Sequence, residues 1–320
     1  MMPLPDFRKT IALILSMAIA LAIASFFLIG PATLTPQETS GSGKEKFPRL
    51  IRKSDSSPQL SAEAVMVMRL WSSEVLYERE ADKRLPIASL TKLMTALILT
   101  EADRPLDMII FSQAAKTMGD GDDKRSSVKA GDRLKSEDVL KLLLVSSDND
   151  AAWAAAEHVA ARIPTGEADA TFQERMTRFA EIMNERTRAL GLANTHFANP
   201  TGRDDPDNFS TARDLVVFSA FIAEHRPELW VISRIQETFV FGEAGDRYGL
   251  VNTNILLHEY PAIFGSKTGF DDEARGALLL LYQLAPGELV AIAILRSPYR
   301  FTDGREAIQW LESNFVLESS

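Results

Sequence analysis

Ser89 and Lys92 stand three positions apart in Pro86-Ile87-Ala88-Ser89-Leu90-Thr91-Lys92, at the head of the apolar run Leu93-Met94-Thr95-Ala96-Leu97-Ile98-Leu99. Three residues is about one helical turn, so a helix here puts a hydroxyl and an amine on one face, within reach of a shared proton. Pro86 closes the preceding segment and sets Ser89 in the first turn. There, free backbone N–H groups and the positive end of the helix dipole favour developing negative charge. A serine so placed can act as a nucleophile with the lysine as its base. By itself the spacing is also that of a helix cap followed by a solvated lysine. Leu90, Leu93 and Met94 argue against that reading, because a lysine among them needs a reason to be buried.

A second polar cluster, Ser146-Ser147-Asp148-Asn149-Asp150, is wedged between two apolar runs, Leu142-Leu143-Leu144 and Ala151-Ala152-Trp153-Ala154. It reads either as a plain turn with a new helix cap or as a hydroxyl and an amide aimed at a shared cleft. The polar loop over residues 118–132 contains Gly119-Asp120-Gly121-Asp122-Asp123 but lacks the glycine and terminal glutamate positions of a calcium loop, and is expected to be solvated.

The elements that must position these groups follow from the pattern. Ala64-Val65-Met66-Val67-Met68 and Val75-Leu76-Tyr77 predict an antiparallel hairpin just before the Ser89 helix. Ser136 is expected to cap a helix through Leu144, and Ser210 one over residues 212–222. Phe172, Met176, Phe179, Met183 and Leu190 recur at helical spacing up to Gly191, a core stripe rather than a cofactor box. Between these helices lies a turn-rich loop, residues 197–206. Strands are expected at 238–241, 262–270, 276–282 and 289–295, with an amphipathic helix over 307–315. Early strands, then helices, then late strands imply one sheet assembled from both ends of the chain.

Composition excludes several classes. The net charge of -9 over 320 residues argues against nucleic-acid partners. The absence of cysteine rules out disulfides, thiolate metal sites and a cysteine nucleophile, and the four histidines show no zinc-ligand spacing. No metal or other cofactor is expected. Arg8 and Lys9 precede an unbroken apolar run over residues 11–30, which is long enough to span a bilayer with its N-terminal end in the cytoplasm. Residues 1–34 thus read as a signal peptide or an uncleaved anchor, both left open, and the rest as exported, to the periplasm or the outer face of the cytoplasmic membrane. Residues 35–59 read as a flexible spacer and residues 60–320 as the folded domain.

Ser89-x-x-Lys92, Ser147-x-Asn149 and Lys267-Thr268-Gly269 stand in that order along the chain. Together they resemble the active-site triplet of the penicillin-binding protein and serine β-lactamase superfamily. Residues 64–77, 86–95, 142–152, 190–197, 210–215 and 304–306 are further similar to the D-alanyl-D-alanine carboxypeptidases, the low-molecular-mass penicillin-binding proteins. The resemblance spans residues 60–316. It implies an α/β (α+β) fold of the β-lactamase/transpeptidase type: an antiparallel five-stranded sheet flanked by helices, with a mostly helical subdomain. It implies that Ser89 attacks the D-Ala-D-Ala carbonyl of peptidoglycan stem peptides while Lys92, deprotonated, takes its proton. Ser147 would relay the proton to the leaving amine and Asn149 would hold the substrate backbone. The backbone N–H groups of Ser89 and Phe270 would form an oxyanion hole, and Lys267, Thr268 and Arg305 would bind the terminal carboxylate. β-Lactams would bind covalently.

The chain also departs from that pattern. Asp148 stands where glycine is common in these peptidases, giving a Ser-Asp-Asn stretch like that of class A β-lactamases. The Glu-x-x-Leu-Asn stretch that lactamases of that class need does not occur after Asn149. Asp271 replaces a usual threonine, and Arg275 precedes Gly276. The sequence stops soon after its last helix, without the β-rich second domain and C-terminal anchor of longer relatives, so membrane attachment is expected only through the N-terminal segment. The expected activity is a serine D-Ala-D-Ala carboxypeptidase; the alternatives are a DD-endopeptidase of peptidoglycan cross-links, a β-lactamase, and an inactive binding module.

Overall fold

The computed structural model describes residues 49–118, 127–163 and 170–318. The signal or anchor segment, most of the spacer and the aspartate-rich stretch 119–123 lie outside the described residues. In chain order, β1 (Leu50–Arg52) is followed by the hairpin β2 (Ala64–Arg69) and β3 (Val75–Arg79). A 3-10 turn, Ala88–Thr91, runs into helix α1 (Lys92–Ala102). Next come β4 (Met108–Ile110), α2 (Gln113–Met118), β5 (Arg133–Lys135) and α3 (Ser136–Lys141). A π-turn, Leu142–Ser146, leads to α4 (Asn149–Ala160), α5 (Phe172–Ala189), α6 (Ala212–His225) and α7 (Pro227–Ser233). The chain then forms the ribbon β6 (Glu237–Phe241) and β7 (Arg247–Val251), the long strands β8 (Ile263–Asp271), β9 (Arg275–Ala285) and β10 (Glu288–Ser297), helix α8 (Arg300–Asn314) and β11 (Phe315–Leu317).

The central sheet has five strands in the order β3-β2-β10-β9-β8, every pair antiparallel. It is assembled from both ends of the sequence, as the pattern of elements implies. Its inner strands are buried on both faces, and alternate residues feed two cores. Ala64, Met66, Leu279, Leu281, Ala291 and Ala293 face the helical layer. Val65, Val67, Leu278, Leu280, Ile292 and Ile294 face α8, with Ile308 and Leu311. A strand buried on both sides reads as a continuous apolar run, which is why β9 and β10 are plain in the sequence.

Three boundaries differ from expectation by a local cause. Lys135, not Ser136, occupies the cap position of α3, and it makes no side-chain cap. Thr211, not Ser210, caps α6, its hydroxyl accepting from the Asp214 N–H, while Ser210 pairs with Leu85 and Thr195 instead. Helix α8 begins at Arg300, seven residues before the expected start at Ala307, with Asp303 in its first turn accepting from the Ser61 and Ser297 hydroxyls. The end of the expected spacer is also tied down. Leu50–Arg52 pairs with Phe315–Leu317, and the Trp310 indole donates to the Ser56 carbonyl. Among the described residues no helix is long and apolar enough to cross a membrane.

Gly304 lets α8 lie flat on the sheet, since a Cβ there would stand 2.7 Å from Leu256 Cδ1 and 2.8 Å from Leu278 Cδ2. Gly304→Val is therefore expected to destabilise the fold by about 1–3 kcal/mol through overpacking. A urea-denaturation midpoint equal to that of the unaltered chain would show that α8 is not packed this closely.

Candidate active site

The Ser89 turn and the first turn of α1 are buried. Ser89 is 5% exposed and Lys92 is fully enclosed, as are its chain neighbours Leu90, Leu93 and Met94. The Lys92 amine lies 2.8 Å from Ser89 Oγ and 3.0 Å from the Thr201 carbonyl. Hydroxyl and amine thus meet one turn apart, as their spacing predicts. The residue before the serine, Ala88, has φ +47°, a conformation that L residues adopt at a cost of roughly 1–2 kcal/mol.

What holds the second oxygen against Lys92 is a turn whose role the sequence alone did not disclose. Asn199 Oδ1 accepts from the N–H groups of Thr201, Gly202 and Arg203 and from the Thr201 hydroxyl. This curls Asn199-Pro200-Thr201-Gly202 beneath α1, where Pro200 O accepts from Thr95 and Thr201 O from Lys92. Gly202 has φ +81°, and a Cβ there would be 1.8 Å from the Ala88 carbonyl oxygen. The run Asn-Pro-Thr-Gly marks a turn in sequence. Its destination under the catalytic-type helix is a tertiary fact.

The second wall is the polar wedge. The π-turn ends at Ser147 in the left-handed region (φ +61°, ψ +39°), and Asp148 then caps α4 by accepting from the Ala151 N–H at 2.8 Å. Asp148 is thus a helix cap, which gives the aspartate found in place of glycine a local structural reason. Ser147 is 1% exposed and Asn149 6%. The third wall is β8. Lys267 Nζ donates to Ser147 Oγ at 2.8 Å and to the Thr268 carbonyl at 2.9 Å, joining this edge strand to the helical layer. Gly269 allows β8 to close on the Ser89 turn, because a Cβ there would be 2.7 Å from Ile87 O and 3.2 Å from the Ser89 nitrogen. The Phe270 side chain follows, half exposed at the rim.

Ser89, Lys92, Ser147, Asn149, Lys267, Thr268, Gly269 and Phe270 therefore stand on three adjoining walls. Arg305 does not. Its guanidinium is engaged bidentately by Glu259, 2.6 Å from each oxygen, in a partly exposed pair at the side of α8. That pair holds the Glu259 carboxyl below its ordinary range and the Arg305 guanidinium above its own. The arginine beside the site is Arg300, five residues earlier. Its guanidinium lies 5.2 Å from the Phe270 ring, and its Cβ packs where Gly276 has no side chain. Burial pushes Arg300 below the usual guanidinium value, and its Nε has no hydrogen-bond partner among the described residues. No sequence signal distinguished Arg300 from Arg305.

The model of the D-alanyl-D-alanine carboxypeptidase family matches residues 51–283, most of the chain. The chain belongs to this family. Among similar proteins, the D-alanyl-D-alanine endopeptidase of Pseudomonas aeruginosa is 31% identical over 81% of this chain and 79% of its own length. The D-alanyl-D-alanine carboxypeptidase DacF of Bacillus subtilis is 28% identical over 73% of this chain, which spans only 57% of that longer protein. The fold is shared with the Streptomyces K15 DD-transpeptidase, at a TM-score of 0.70 and 25% identity, covering 80% of this chain and 98% of the other.

Two glycines with positive φ separate conformational need from close contact. Gly191 (φ +71°) ends α5 with nothing within 4 Å of the point where a Cβ would stand, whereas Gly202 meets the Ala88 carbonyl. Gly191→Ala is expected to lose about 1–2 kcal/mol of stability. Gly202→Ala adds overpacking to the same strain and is expected to lose about 2–5 kcal/mol. Urea unfolding of the two variants checks this, and equal losses would show that the Asn199 turn yields freely.

Proposed function

We propose that this protein is an exported serine D-Ala-D-Ala carboxypeptidase that trims peptidoglycan stem peptides through an acyl-enzyme on Ser89. The observation that carries the reading is the pair of buried contacts, Lys92 to Ser89 Oγ and Lys267 to Ser147 Oγ, each 2.8 Å. They align a nucleophile with one amine and a second hydroxyl with another in one groove.

In this reading Ser89 Oγ bonds to the carbonyl carbon of the penultimate D-Ala as its proton passes to Lys92 Nζ. The carbonyl oxygen, now an anion, is met by the backbone N–H groups of Ser89 and Phe270, and the loss of one such donor typically costs about 100-fold or more. When the C–N bond breaks, the departing amine takes a proton through Ser147, whose Oγ is held by Lys267. Asn149 steadies the substrate backbone. Water then cleaves the ester and restores Ser89. Lys267 and Thr268 receive the terminal carboxylate, with Arg300 taking the place expected for Arg305. Export through residues 1–34 would bring the domain to its cell-wall substrate, and β-lactams, which mimic the dipeptide terminus, would acylate the same serine.

A second reading is favoured by how the relatives are matched. The endopeptidases of P. aeruginosa and Escherichia coli are matched over 79% and 81% of their own sequences, more than the carboxypeptidase of B. subtilis. Cleavage of D-Ala cross-links would use the same chemistry on a longer leaving group.

Labelling with a fluorescent penicillin is expected to be stable in the unaltered protein, to vanish in Ser89→Ala and to fall at least ~100-fold in rate in Lys92→Met. Unimpaired labelling of Ser89→Ala would refute the assignment, and rapid turnover of the label would favour a β-lactamase. Assays on uncross-linked and cross-linked muropeptides separate the two peptidase readings. Arg300→Ala is expected to raise KM for peptides with a free terminal carboxylate by about 10-fold or more, the worth of a charged hydrogen bond. Arg305→Ala is expected to leave KM within about twofold, and the reverse order would restore Arg305 to the site.

A further inference from the structure

Thr268 does not face the groove alone. Its hydroxyl lies 2.6 Å from the hydroxyl of Thr253, a residue in the short connection between β7 and β8. That connection is locked from both sides. Asn252 Nδ2 donates to the carbonyls of Ser233 and Ile235, Asn252 Oδ1 accepts from the Asn254 N–H, and Asn254 Oδ1 accepts from the Leu256 N–H. Between these two asparagines the Thr253 N–H donates to the carbonyl of Val145 at 3.1 Å, within the π-turn that ends at Ser147. Thr253 therefore touches two walls of the groove at once, the turn that presents Ser147 and the strand that presents Thr268.

A threonine hydroxyl has one hydrogen to give and oxygen lone pairs to receive with. In the 2.6 Å contact one of the two hydroxyls must donate. A carboxylate only accepts, so a Thr268 that binds one must turn its hydrogen away from Thr253 and toward the ligand. Thr253 then has to be the donor. We propose that Thr253 is a positioning residue for carboxylate recognition: by donating to Thr268 Oγ1 it fixes the Thr268 rotor with its hydrogen directed into the groove. The inference rests on the reading of the groove given above, and it adds a residue outside the three motifs.

The test compares two probes of Ser89. Penicillin G carries a carboxylate; Ser89 Oγ bonds to its lactam carbonyl, the C–N bond opens and the ring nitrogen takes the proton. Phenylboronic acid carries none; Ser89 Oγ adds to boron, its proton passes to Lys92 and nothing leaves. In Thr253→Val the pre-acylation dissociation constant for penicillin G is expected to rise about 3- to 10-fold, the worth of one ordinary hydrogen bond, with the limiting acylation rate little changed. Phenylboronic acid affinity is expected to stay within twofold, and Thr253→Ser, which keeps the hydroxyl, to restore penicillin binding. Equal losses for both probes, a loss that Thr253→Ser does not repair, or no loss at all would each overturn the proposal. Should Thr253→Val melt well below the unaltered protein, Thr253→Ala against Thr253→Ser gives the same comparison below the melting range. An unaltered protein that penicillin fails to label would instead count against the reading of the groove.

Discussion

A buried amine held between a hydroxyl and a carbonyl is the constraint around which this chain is arranged. Lys92 has no room to reach solvent, and its nitrogen is in hydrogen-bond contact with the oxygens of both Ser89 and Thr201. One oxygen comes from the same helical turn, the other from a loop 109 residues further on. The close approach of that loop depends on the missing side chain of Gly202, and the approach of the edge strand on the missing side chain of Gly269. The two glycines thus bring separate segments against the Ser89 turn, one beneath it and one beside it. Even the unfavourable φ of Ala88 falls at the point where these segments converge, so packing on several sides maintains it.

The same economy links the walls to each other. Lys267 reaches from the sheet to Ser147, while the Thr253 amide reaches from the β7–β8 connection to the π-turn carrying that serine. A π-turn at this place adds a residue to the helical path and lets Ser147 enter the left-handed region before α4 restarts under the Asp148 cap. Regular helix would carry the serine past the groove. Two of the left-handed non-glycine residues, Ala88 and Ser147, thus stand beside the groove, and the sheet behind them shifts register only at bulges near its strand ends.

Much of this was legible in the sequence, for identifiable reasons. The Ser89–Lys92 pair is local, and local geometry follows from spacing. Strands β9 and β10 announce themselves because two-sided burial demands an unbroken apolar run. Gly191 marked the end of α5 because a left-handed helix terminus suits glycine. What escaped were contacts decided by tertiary packing. Arg300 and Arg305 differ by five positions on one helix, and only the packed structure shows that Glu259 takes one while Phe270 and Gly276 flank the other. The shift of a cap from Ser210 to Thr211 arose because Ser210 is already committed to pairing with Leu85.

The pairing of Leu50–Arg52 with Phe315–Leu317 brings the two ends of the described fold to one corner, where the Glu318 N–H meets the Arg49 carbonyl. Any tension applied through the polypeptide ahead of Arg49 enters the body there, at a three-residue antiparallel seam braced by Trp310 and Ser56. That seam lies on the α8 side of the sheet, so a mechanical load would peel it first. The groove, built on the opposite layer and the far edge strand, would keep its shape until the seam had parted.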